Sequence, residues 1–200
     1  QALERMQAQI GGCALEPAAV AAARAYAADL LDAPGPPADD ARLVYRLLEA
    51  GVALPLRAAW VGGPDDAGRA LGPRAGGIPL RCAAGAAGET VVLVVLSAAV
   101  QIDPLAAFVA PGSAATLSFV PLVEAEGYRV LVTRPDGAVQ SVAVSAAAGR
   151  WRARLGFDRR GAYRVQLLAT RAGVPEPAAT LEVFAGVASP EPPALSVPAQ

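Results

Sequence analysis

No histidine, lysine or asparagine occurs in this chain of 200 residues, so all 17 basic residues are arginines. Histidine is the usual general base near neutral pH and the commonest metal ligand. Its absence excludes a Ser-His-Asp triad, a Cys-His pair and a histidine-based zinc site. The absence of lysine excludes Schiff-base and P-loop chemistry. No excess of charge of either sign is present: 17 arginines face 18 acids, for a net charge of −1. The signs are interspersed and no basic face emerges, which argues against nucleic-acid binding. Long apolar runs are missing too. The longest, residues 91–100, is far short of the roughly 20 residues that span a bilayer. No charged segment leading into an apolar one opens the chain, and no N-terminal cysteine offers a lipid anchor. A start at Gln1 fits either a processed N-terminus or an arbitrary boundary.

What is present is apolar bulk, at 54% of residues, much of it alanine, with aromatics at only 5%. The cores are therefore expected to rest on a few large residues: Trp60, Phe108, Phe119, Trp151, Phe157, Tyr163 and Phe184. The two cysteines, Cys13 and Cys82, lie far apart. A single even pair points to one disulfide closing a long loop. Such a bridge would contribute about 3–4 kcal/mol through the unfolded state. The alternative is two buried thiols acting as small hydrophobes.

The first half reads helical. Residues 2–10 form a short amphipathic segment stopped by Gly11-Gly12. Glu16-Pro17 opens a second helix, since proline suits the first helical position and an acid suits the positive helix end. Prolines 34, 36 and 37 end it. Asp39 or Asp40 caps a third helix bearing Leu43, Val44, Leu47 and Leu48 on one face, with Gly51 as a left-handed stop. Residues 54–61 suggest a strand, and residues 65–71 a helical turn. Residues 78–84 and 90–99 suggest strands joined by Gly85-Ala86-Ala87-Gly88. Val91 to Leu96 is apolar on both faces, as in a central strand covered on both sides.

From Asp103-Pro104 onward short strands recur between turns: 114–122, 128–133, 139–145, 150–157, 162–169 and 180–184. Their number and spacing predict an immunoglobulin-like β-sandwich over residues 103–187. Asp136-Gly137 and Arg160-Gly161 are expected at hairpin ends. Residues 188–200, rich in proline and alanine, read as a disordered tail.

The N-terminal half carries Leu3-Glu4-Arg5, Gly11-Gly12, Leu15-Glu16-Pro17, the alanine-rich run 21–30, and Arg46-Leu47-Leu48-Glu49-Ala50-Gly51-Val52. With these, residues 1–102 resemble the CAP superfamily (cysteine-rich secretory proteins, antigen 5, pathogenesis-related 1). It implies an α+β class: a small α/β CAP-like domain over 1–102, followed by the sandwich. The family's cavity is lined by two histidines and two acids, and this chain has no histidine to supply. The resemblance therefore implies a member whose metal site has been erased, with no cofactor.

The remaining acid pairs, Asp39-Asp40, Asp65-Asp66 and Glu124 with Glu126, read as helix caps and a solvated loop. Trp60 reads as core packing. Arg150, Arg152 and Arg154 project from one strand face, with Arg159 and Arg160 nearby, and form the best candidate partner contact. The expected function is a non-enzymatic, exported binding or structural protein. Its partner would be another protein in an extracytoplasmic assembly at the cell surface or envelope. The alternative is a small-molecule or lipid carrier using a groove in the N-terminal domain. The arginine- and alanine-rich composition points to a GC-rich bacterial genome.

Overall fold

A computed structural model describes residues 13–31, 33, 40–63, 78–191 and 193. The chain divides into two compact units, one of residues 1–52, 56–97 and 191–200, the other of residues 53–55 and 98–190.

The first unit is a four-stranded sheet with two helices. Its elements are β1 (Ala14–Leu15), α1 (Pro17–Leu31), α2 (Ala41–Glu49), β2 (Leu56–Gly62), β3 (Leu80–Ala87) and β4 (Thr90–Ser97), with sheet order β1-β3-β4-β2. Helix α1 starts at Pro17 and buries Ala19, Ala22, Ala23, Tyr26 and Ala27, a stripe at three- and four-residue spacing. An alanine stripe lets backbones approach closely, and β3 exploits this at Gly85. A Cβ there would lie 2.1 Å from the Arg24 nitrogen of α1. Gly85 is therefore a packing position inside β3. The strand runs on to Ala87 and the turn falls at Gly88-Glu89, later than expected from the glycines.

Strand β4 lies between β3 and β2, and Val91 to Leu96 are all buried. By strand alternation Val92 and Val94 share the α1 side with their partners Gly85 and Ala83. On the other side Val91 and Leu93 form a cluster with Cys13 and Cys82, against which Trp60, Leu80 and Ala84 pack. Cys13 and Cys82 are joined as a disulfide, their Cα atoms 5.9 Å apart. Gly62 leaves room for the Trp60 ring, which a Cβ would meet at 2.3 Å.

The two helices are tied by Asp29 of α1. Arg46 of α2 donates to both its oxygens at 2.7 and 2.8 Å, and Arg42 Nε donates at 2.9 Å. Burial alone would raise the Asp29 pKa, but the hydrogen bonds from Arg46 and Arg42 outweigh it and hold it at about 2. Gly51, two residues past the end of α2, has a φ of +76° and stops the helix. Asp40 occupies its N-cap position without a side-chain capping bond.

The CAP resemblance and the α+β class are overturned. The described residues form thirteen strands in three sheets and only two helices, of 15 and 9 residues. The chain is predominantly β. The alanine-rich run that carried the resemblance specifies a helix but little else: alanine has the best helix propensity and no large side chain to dictate packing. Three further expectations, the segment 2–10, Asp39 and the turn at 65–71, lie outside the described residues.

The second unit is a two-sheet sandwich. Its elements are β5 (Val100–Ile102), β6 (Phe108–Val109), β7 (Ser113–Pro121), β8 (Gly127–Thr133), β9 (Val139–Val142), β10 (Val144–Ala147), β11 (Arg150–Phe157), β12 (Gly161–Arg171) and β13 (Val174–Ala185). One sheet has the order β10-β11-β7-β5 and the other β6-β13-β12-β8-β9. All pairs are antiparallel except β6 with β13. This distribution of strands between two sheets, with the chain crossing after β5, β6, β7, β9 and β11, is the immunoglobulin-like arrangement. Tyr163, 1% exposed near the start of β12, reinforces it. Its hydroxyl accepts from the Arg159 backbone N–H at 2.8 Å, four residues upstream, the bond of a tyrosine corner. Leu117, Phe119, Val130, Val132, Leu155, Phe157, Val165 and Leu167 fill the space between the sheets.

Two turn readings divide. Asp136-Gly137 closes the β8–β9 hairpin, where Ala138 N–H donates to Asp136 Oδ1 at 3.1 Å. Arg160-Gly161 does not close a hairpin, because β11 and β12 belong to different sheets.

Candidate functional site

The most exposed regular backbone in the sandwich is the stretch β9–β10. One strand expected over 139–145 is in fact two, divided at Ala143. β9 pairs with β8 in one sheet and β10 with β11 in the other. Each is the terminal strand of its sheet, so the chain borders both sheets in succession. Residues 139–149 contain no charged residue and no proline, and most are exposed; Val139 is 63% exposed. Edge strands are ordinarily protected by charge, proline, a bulge or shortness. Of these only shortness, four residues in each strand, protects β9 and β10.

Beside this border lies the arginine row. Strand β11 alternates strictly: Ala153, Leu155 and Phe157 are buried, while Arg152 and Arg154 are exposed and Arg150 is half-buried. Arg152 stands between Ser145 of β10 and Ser118 of β7, and Arg154 opposite Thr116. The outer face therefore alternates guanidinium and hydroxyl groups across the strands. Arg150 is ion-paired with Asp103. Arg152 and Arg154 have no ion-pair partner among the described residues. The structure does not bring Arg159 and Arg160 into this row. They occupy the link that crosses between sheets, and Arg159 is paired with Asp136 of the β8–β9 turn.

A second feature, where the sequence suggested a solvated loop at Glu124 and Glu126 and a core residue at Trp151, is a cleft of about 700 Å³ at one end of the sandwich. The β7–β8 connection, residues 121–126, forms one wall, and Arg171-Ala172 of the β12–β13 hairpin another. Tyr128 and Trp151 also line it. Their rings meet edge to face, with centroids 5.0 Å apart and planes at 61°, and Phe119 backs both. Glu126 is fixed, its carboxylate accepting from the Gly173 N–H at 3.1 Å and its own N–H donating to Thr170 O at 2.8 Å. Arg171 is ion-paired with Glu176. Glu124 is exposed and has no partner among the described residues. Burial raises the Tyr128 phenol pKa, opposed by the nearby Arg171 charge. The sequence reading missed this cleft; its one trace there is that Tyr128 and Trp151 stand near strand ends, Trp151 in register with Phe119.

No group of three or more candidate metal ligands occurs among the described residues. No helix of the described residues is long and apolar enough to cross a membrane.

No protein-family model matches the chain, and no curated protein matches it. Among solved structures it is similar to a bromine derivative of BhCBM56, at 15% identity over 42% of this chain and 88% of that one, with a TM-score of 0.32. It is similar to the Lin-41 filamin domain at 16% identity over 44% of this chain and 95% of that one, TM-score 0.34. A DUF4785 family protein from Legionella pneumophila matches at 10% identity over 49% of this chain and 32% of that one, TM-score 0.31. Scores of this size carry neither fold nor role across. The immunoglobulin-like description rests on the strand order and the tyrosine corner.

Proposed function

We propose that the chain is a non-enzymatic binding protein, an interaction subunit of an extracytoplasmic assembly. Its sandwich takes up an extended, acidic segment of a protein partner along β9–β10. The observation that carries this reading is the exposed, uncharged double border. A peptide laid there gains main-chain hydrogen bonds by strand addition. Arg152 and Arg154 supply the preference for acid, because they stand one strand inward and lack ion-pair partners. The non-enzymatic reading rests on the residue inventory, which has no histidine or lysine. The extracytoplasmic reading rests on the disulfide, since such bonds persist in oxidising compartments.

The test compares three forms of the full chain in crosslinked pull-downs from the native envelope: wild type, Ser141→Lys with Ser145→Lys, and Arg152→Glu with Arg154→Glu. Both pairs alter exposed outer positions, so thermal unfolding should be unchanged. A protein retained by wild type should fall at least tenfold with either pair. Equal retention by all three forms rejects the edge as the contact.

A further inference from the structure

We infer that the cleft bounded by Trp151, Tyr128, Glu124 and Glu126 is a second binding site, built for an organic cation bearing an alkylated ammonium group. It does not depend on the strand-addition reading, because its residues belong to the sandwich end and not to β9 or β10.

Size comes first. About 700 Å³ lies within the range of small-molecule sites, roughly 300–1,000 Å³. The walls come next. Two aromatic rings inclined at 61° line the cleft, both packed against Phe119, and an aromatic ring face is rich in π-electron density. A cation gains from such faces, most of all when alkyl groups bring it into contact without a hydration shell to strip. The sign of the charge is set by the rim. Glu124 and Glu126 contribute two negative charges. Arg171, paired with Glu176, also lines the cleft, so two carboxylates stand against one guanidinium and the lining keeps a net negative charge. Glu126 is held in place by backbone hydrogen bonds on both its amide and its carboxylate, so the site needs little ordering on binding. An anion would meet two carboxylates, and a wholly apolar ligand would strip water from both without compensation.

The experiment uses the full chain carrying Trp60→Phe, which leaves Trp151 as the sole tryptophan. Choline is titrated against 3,3-dimethylbutan-1-ol, its uncharged carbon analogue, with Trp151 fluorescence as the readout. The expected result is a saturable response to choline, at least tenfold weaker for the alcohol. Glu124→Gln should weaken choline at least threefold, and because Glu124 holds no other group its fold is unaffected. Equal response to both probes overturns the proposal, as does no saturable response to either. A saturable response to neutral oligosaccharides with none to choline also overturns it, by reassigning the cleft to a different chemistry.

Discussion

Two alanines carry a left-handed backbone: Ala148, with φ of 51°, and Ala172, with φ of 49°. Each precedes a left-handed glycine in a two-residue hairpin turn, Gly149 or Gly173. Such turns favour asparagine over alanine at the first position, because its short polar side chain bonds the local backbone and offsets the cost of a left-handed φ. Ala148→Asn should therefore raise stability by about 0.5–1 kcal/mol, seen as a higher urea midpoint. Gly85 shows the reverse situation. Its Cβ would enter the backbone of α1, so Gly85→Ala should cost about 2–3 kcal/mol, followed through Trp60 fluorescence. Glycine was legible in the sequence as punctuation, and at 88 it serves as that. At 85 it marks a contact with a helix some sixty residues earlier, which no local pattern encodes. Asp29 gives a pH signature. Its pKa lies at about 2, below its ordinary 3.8. The stabilisation is therefore complete above pH 4 and lost as pH falls through 2. In Asp29→Asn that acid-dependent loss, on the order of 1–2 kcal/mol after screening, should vanish from urea midpoints measured between pH 5 and 2.

At the scale of elements, strands with strict alternation were legible. Strand β11 reads in register because each arginine is followed by a residue that must be buried. Segment 139–145 was not separable, since Val-Ala-Val alternates the same way in either sheet. Only the pairing partners, β8 and β11, decide that the chain crosses at Ala143. The tyrosine corner depends on the other kind of information, a bond from a buried hydroxyl to the backbone. Tyr163→Phe leaves the Arg159 N–H without that acceptor and should cost about 1–2 kcal/mol in guanidinium unfolding followed by Trp151. The cleft was illegible for a related reason. Glu124 and Glu126 looked like solvated acids, and only the fold sets them opposite two rings.

At the scale of the molecule, each unit holds one tryptophan, Trp60 in the first and Trp151 in the second. Reduction of Cys13–Cys82 should lower the stability of the first unit by about 3–4 kcal/mol, reported by Trp60, and leave the Trp151 transition in place. The cysteine pairing was legible because only one partner was available to each. The class of the first unit was not, because alanine-rich helices suit many neighbours. The parallel pairing of β6 with β13 has a mechanical consequence. Both strands run the same way, so tension that draws residues 98 and 190 apart slides one along the other and loads their bonds together. That clamp consists of Phe184 N–H to Ala107 O, Gly186 N–H to Val109 O, and the stacking of Phe108 on Phe184. Because these contacts must give way together, the joint resists a pull along the strands better than a pull that peels them apart one bond at a time.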